Sequence, residues 1–257
     1  MTNPGHLDYQ TKGAVGYFTI NREAQRNAIS LEAISLFLSN LDAAEADPEV
    51  RAICVTGAGN RAFCAGADLG DAASGSIEAG FQNYARLLKR LCSYPKPVVA
   101  RINGHCMAGG MGLMLACDIV ITADNATFGT PEVNVGLFPM MIGALIYRNV
   151  LLKKAMEMVL LGDRFNAEQA REMGLVTRVV TADQLDSEVE AVLQKLSGKS
   201  PIGMKIGKEA FYAMADKPFE EAVDFLAGKI AEVAATDDAR EGIMAFLEKR
   251  TPQFKGK

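Results

Sequence analysis

The chain has 257 residues, 49% of them apolar, with five cysteines, two histidines and a formal net charge of −4 at neutral pH. A chain of this length buries roughly three quarters of its unfolded surface, enough for one large domain or two small ones. The negative balance gives no general attraction to nucleic acid, two histidines exclude a polyhistidine metal site, and no stretch approaches the ~18 unbroken apolar residues of a membrane span.

The opening "MTNPGHLDYQ" has no basic start leading into an apolar run, so export is not expected. Short β-branched runs then alternate with longer helical patterns. "AVGYFTIN" (14–21), "RAICVTG" (51–57), "PVVARING" (97–104), "DIVITAD" (118–124) and "LVTRVV" (175–180) read as strands. "SLEAISLFLSNLDAAEAD" (30–47) carries apolar residues at helical spacing, with Ser30 as N-cap and Asp47-Pro48 as the stop. "IEAGFQNYARLLKRLCSYP" (77–95) is a second such helix. The alternation predicts an α/β fold with a sheet covered by helices. From about residue 183 the pattern is wholly helical, and those helices must bury their apolar stripes on the core, on another subunit, or on both.

Cys54, Cys64, Cys92, Cys106 and Cys117 form no C-x-x-C pair, so reduced thiols of a cytoplasmic protein are expected, with neither a disulfide framework nor a metal site. Lys199, Lys205 and Lys208 read as a solvated face. "SGKS" (197–200) mimics the end of a phosphate-binding loop, but the loop's first glycine would fall at Leu193 and the segment follows a helix.

Three segments carry chemistry. In "RAFCAGADLG" (61–70) a strand end runs into a small-residue turn and a helix start; Cys64, Ala65, Gly66 and Ala67 let backbone N–H groups approach a ligand. In "NGHCMAGGMG" (103–112), Gly109 and Gly110 expose more backbone where a helix begins. Two such N–H groups converging on one oxygen make an oxyanion hole; small residues serve tight strand–helix packing equally well. In "NATFGTPEVNVGLFP" (125–139), Glu132 follows Thr130-Pro131, which reads as a helix start with Thr130 as N-cap and Pro131 in first position.

Together these segments resemble, in order and spacing, the enoyl-CoA hydratase/isomerase (crotonase) superfamily. The likeness starts at "NREAQRNAIS" (21–30), continues through the three segments and "GDRFNAEQAREMGLVTRVV" (162–180), and ends with "FLEKRTPQFKGK" (246–257). It implies a spiral core of β-β-α units over residues 1–190 and a C-terminal helical trimerisation region over 191–257, assembled as a homotrimer or a homohexamer of two stacked trimers. It also implies an acyl-CoA thioester as substrate, with coenzyme A as part of that substrate and no separate cofactor.

Carried over by position, Ala67 and Gly109 are the N–H donors to the thioester oxygen and Glu132 is the acid/base. Arg26, Ala28, Ala65, Asp68 and Leu69 fall where the family lines the coenzyme A site, although Arg26 also reads as a surface arginine and Asp68 as a helix N-cap.

Family hydratases hold a water between two glutamates, and the second would stand at Gly112, three residues beyond Gly109 on the same helix face. One carboxylate suffices to move a proton within the acyl chain, as in the family's isomerases. Hydration with one is slower, and an acid such as Asp71 entering the vacated space is a third option. "GLFPMMIGALIYR" (136–148) also departs from the family's glycine-rich turn, and Met140, Met141 and Ile142 read either as a reshaped acyl pocket or as core packing. A catalytically silent acyl-CoA binder or scaffold is the alternative to an enzyme; RNA binding lacks a basic stripe.

Overall fold

The structure, a computed structural model, describes residues 5–68 and 77–257. The five expected strands, with β1 added at one edge, form one sheet: β1 (Leu7–Lys12), β2 (Val15–Ile20), β3 (Ala52–Gly57), β5 (Val98–Ile102), β7 (Ile119–Ala123) and β10 (Arg178–Val180), hydrogen-bonded in that order. Only the β1–β2 hairpin is antiparallel; every other pair is parallel. β1, absent from the sequence reading, mixes one buried position with exposed polar ones and has no clean alternation.

Four three-residue strands form a second sheet in the order β4 (Ala62–Cys64), β6 (His105–Met107), β8 (Thr127–Gly129) and β9 (Arg164–Asn166). β3, β5 and β7 of the large sheet each run directly into β4, β6 and β8 of the small one. This repeated passage from sheet to sheet is the α/β spiral anticipated for the family.

Helix α1 (Leu31–Ala46) is capped as expected: the Ala33 N–H donates to Ser30 Oγ at 3.1 Å, and the helix stops at Asp47. α2 (Ile77–Cys92) ends three residues before the expected Pro95. α3 (Gly109–Leu115), α4 (Met140–Asn149), α5 (Leu152–Leu161) and α6 (Ala167–Glu172) follow, then α7 (Leu185–Ser197), α8 (Pro201–Met214), α9 (Phe219–Ala234) and α10 (Asp237–Leu247). Residues 190 and 191 both lie within α7.

The period-2 pleat explains why β3 is buried at all six positions. Ile53 and Val55 point into the main core with Phe18, Phe37, Phe63 and Leu87. Ala52 and Cys54 face the opposite side, where Leu185, Val189, Val192 and Leu193 of α7 cover the sheet. Lys208 is not part of a solvated face: its Nζ donates to the Lys96 carbonyl at 3.1 Å and pairs with Asp118, because α8 packs there. All five cysteines are free; Cys92 is half-buried and the other four are buried. Burial pushes the Cys54 thiol up to about 12 and the Cys64 thiol up to about 11.

Candidate active site

Because β4, β6 and β8 are parallel neighbours, the segments that leave their carboxyl ends emerge along one edge of the small sheet. Those segments contain Ala65–Asp68, Ala108–Gly109 and Thr130–Glu132. Strand order thereby brings segments 65 residues apart to the same edge of the small sheet.

A single parallel bridge joins Ile29 to Ala67. The Ile29 N–H donates to Gly66 O at 2.8 Å and the Asp68 N–H donates to Ile29 O at 2.9 Å, so the bridge uses the residues flanking Ala67. Gly109 opens α3, where N–H groups have no intrahelical acceptor. Among the described residues neither the Ala67 nor the Gly109 N–H donates to a backbone carbonyl. A Cβ built on Gly109 would lie 3.5 Å from Ala67 N, and one built on Gly66 would lie 3.5 Å from Gly109 N, so the two amides lie close together.

The backbone there is held in uncommon conformations. Gly66 has φ +108°, and Ala108 has φ 51° and ψ −126°. Such strain at a non-glycine residue costs on the order of 1–3 kcal/mol and persists only where surroundings enforce it. Here the Ala108 N–H donates to Gly129 O at 2.9 Å, fixing the turn that presents Gly109.

Glu132 lies in a 3-10 turn over Pro131–Val135, with Pro131 in first position as expected. Thr130 does not cap it: its hydroxyl donates instead to the Met158 carbonyl of α5 at 3.1 Å. The Glu132 side chain is half-buried, and its Oε2 is buried with no hydrogen-bond partner among the described residues. Burial raises its carboxyl above the ordinary glutamate range.

The place left by Gly112 is filled. A Cβ there would lie 2.5 Å from the Tyr84 hydroxyl and closer still to Cγ2 of Ile142. Tyr84, on α2, is only 7% exposed, and its hydroxyl donates to the Gly109 carbonyl. Glu132 is among the charges its hydroxyl feels. Of the three departures at 140–142, Met140 is 75% exposed, Met141 packs on the core and Ile142 faces the site. The sequence reading missed Tyr84. A signal existed: Tyr84, Leu87, Leu88 and Leu91 form one buried helical stripe, and a hydroxyl on such a stripe needs a polar partner.

The residues expected to line a coenzyme A site also meet. The Ala65 N–H donates to Arg26 O at 3.1 Å, and Arg22 donates to Ala28 O at 2.7 Å while its other nitrogen pairs with Asp68 at 2.6 Å. Arg26 is exposed, with left-handed backbone at φ 52°. Leu69 and Asp71 lie outside the described residues. Asn27, unmarked in the sequence reading, is fully buried beneath them: its Nδ2 donates to Ala58 O at 3.0 Å and Ala62 O at 2.7 Å, and its Oδ1 accepts from the Arg22 N–H at 3.0 Å.

A spiral of two sheets with small-residue turns and one buried carboxylate at a shared edge defines a crotonase-type protein. The enoyl-CoA hydratase/isomerase family model matches residues 10–257, and the chain belongs to that family, whose members are lyases or isomerases of acyl-CoA metabolism. It is 36% identical over 249 residues to a putative enoyl-CoA hydratase of Thermus thermophilus, covering 95% of this chain and 98% of that one. It is 34% identical to a 2,3-dehydroadipyl-CoA hydratase of Escherichia coli, covering 93% and 94%. An enoyl-CoA hydratase crystal structure from Bacillus anthracis superposes with a TM-score of 0.94 at 30% identity, covering 98% of this chain and all of that one.

Proposed function

We propose that the chain isomerises the double bond of an enoyl-CoA thioester, with Ala67 and Gly109 as the oxyanion donors and Glu132 as the sole acid/base. Glu132 takes a proton from the α carbon of a 3-enoyl thioester, and the electron pair moves onto the carbonyl oxygen as an enolate. Two fixed N–H donors stabilise that charge without reorganising; removing one typically costs about 2.7–4 kcal/mol of barrier. The enolate then collapses, Glu132 returns the proton to the γ carbon, and the double bond lies between the α and β carbons.

What supports this reading is two neighbouring amides without a backbone acceptor and, on another segment leaving the same sheet edge, a buried carboxylate oxygen without a partner. A carboxyl raised by burial returns its proton more readily than an exposed one. The filled space at Gly112 leaves no second acid from α3 to anchor a water, which favours proton transfer over hydration. The hydratase names of the relatives favour water addition instead. An unpartnered carboxylate on the same sheet edge as two free donors is hard to reconcile with a silent binder.

Arg26, Ala28, Ala65, Asp68 and Leu69 are the proposed coenzyme A contacts, and coenzyme A arrives with the substrate. Exposed Phe211, Phe219, Ile230, Ile243 and Phe246 on α8–α10 support assembly as a homotrimer or a dimer of trimers. No helix of the described residues is long and apolar enough to cross a membrane, and a cytoplasmic location is proposed.

The test is a parallel assay of a 3-enoyl-CoA and a 2-enoyl-CoA with wild type and Glu132→Gln. Wild type should consume the 3-enoyl thioester faster, and the variant should retain thioester binding while turnover falls at least ~100-fold. Undiminished turnover by the variant would remove Glu132 from the mechanism, and faster hydration by wild type would make the chain a hydratase.

A further inference from the structure

Tyr84 stands beside the proposed thioester site, and the mechanism above gives it no role. A Cβ on Gly109 would lie 3.5 Å from both the Tyr84 hydroxyl and Ala67 N, which places the phenol at the same small space as the oxyanion donors. The hydroxyl gives its hydrogen to the Gly109 carbonyl. From the other side Ile142, 3% exposed, closes on the same volume above Gly112.

We propose that Tyr84 is a specificity-determining residue: with Ile142 it occupies the place of a second acid and its water, and it pins the Gly109 peptide, so that Glu132 alone handles protons. The proposal rests on the reading of the site as a thioester-enolate site. Water addition needs a water that is both oriented and deprotonated; with the second position taken by a phenol and a methyl group, an added water has one anchor only. The phenol is no substitute base, because burial raises its pKa well above the ordinary value and its hydrogen is committed to Gly109. As a donor to Gly109 O it also holds the peptide next to the one whose N–H faces the oxyanion, and small displacements of such groups are costly.

Both roles are read by one set of variants, each checked for folding by circular dichroism and thermal melting. Tyr84→Phe keeps the ring and removes the anchor: kcat for isomerisation should fall roughly tenfold while KM stays within about threefold. A merely structural tyrosine would lower the melting temperature and leave kcat per folded enzyme unchanged. Tyr84→Ala and Ile142→Ala open the volume from its two sides, and Tyr84→Ala with Ile142→Ala and Gly112→Glu restores an acid to it. In all of these the ratio of hydration to isomerisation should rise, and in the variant carrying Gly112→Glu by about 100-fold, the lower range for gaining an acid/base contact.

A folded Tyr84→Phe with unaltered kcat overturns the proposal, as does an unaltered ratio in folded Tyr84→Ala or Ile142→Ala. A wild type inert toward both thioesters overturns the enzymatic reading itself, and this proposal with it.

Discussion

Gly66 and Ala108 meet back to back between the two proposed donors: a Cβ on Gly66 would lie 2.8 Å from the Ala108 Cβ. Both residues hold positive φ, +108° and 51°, so two turns of uncommon backbone pack against each other between Ala67 and Gly109. Any side chain at 66 forces them apart. Gly66→Ala should lose about 1–3 kcal/mol from overpacking, with backbone strain added.

A shift of 1 Å between the amides should lower kcat by up to ~100-fold. Gly13→Ala is the control, since Gly13 has φ +56° and nothing within 4 Å of the added Cβ. It should cost stability without touching kcat. Urea unfolding and steady-state kinetics on the two variants separate strain from misplacement; equal effects on kcat would show that the Gly66–Ala108 contact does not set the donors.

Burial makes the Glu132 carboxyl easier to protonate in the folded chain than in the unfolded one. The protonated form is therefore favoured by folding. That contribution is fully present below the ordinary glutamate pKa of about 4.3 and is lost as pH rises through the raised folded value. At neutral pH the ionised group destabilises the fold, and Glu132→Gln removes it. The variant should melt above wild type at neutral pH, by a margin that shrinks as pH falls toward about 4. For the wild type, the acid limb of kcat/KM should lie above the ordinary carboxylate range. Melting curves across pH check the first statement and a pH–rate profile the second; a Glu132→Gln margin that grows on acidification contradicts both.

Five of the large sheet's six strands were legible because they are β-branched runs, and α1 because Ser30 and Asp47-Pro48 mark its ends. The small sheet was not: β4, β6, β8 and β9 have three residues each, too few to show a period. Yet it is the small sheet whose strand order collects Ala67, Gly109 and Glu132. The roles proposed for them came from family resemblance, since a lone Thr-Pro-Glu reads first as a helix start. Local pattern also misassigned Thr130, whose hydroxyl is drawn to Met158 by the packing of α5. Tyr84 and Gly112 are 28 residues apart on different helices, so the filled space between them is a tertiary fact that neither segment signals.

Asn27 was hidden for a similar reason, and it carries the last prediction. It adopts φ 57°, which asparagine tolerates better than most residues, and all three of its side-chain bonds go to backbone groups at 22, 58 and 62. Those bonds tie the 21–30 segment to the turn between β3 and β4 and to the start of β4, beyond whose end Ala65 reaches back to Arg26 O. Asn27→Ala orphans one N–H and two carbonyls and should cost about 3 kcal/mol. Asn27→Asp keeps the acceptor but turns a carboxylate toward the Ala58 and Ala62 carbonyls, so its ionised form is penalised in the fold and its pKa is raised. Its deficit against wild type should therefore shrink as pH falls toward about 4, whereas that of Asn27→Ala should not. Because Arg26, Ala28 and Ala65 are the proposed coenzyme A contacts, both variants should raise KM more than they lower kcat. Urea titrations at two pH values, with kinetics on the folded fraction, check both statements; an Asn27→Asp deficit independent of pH would mean that the side chain at 27 does not face those carbonyls.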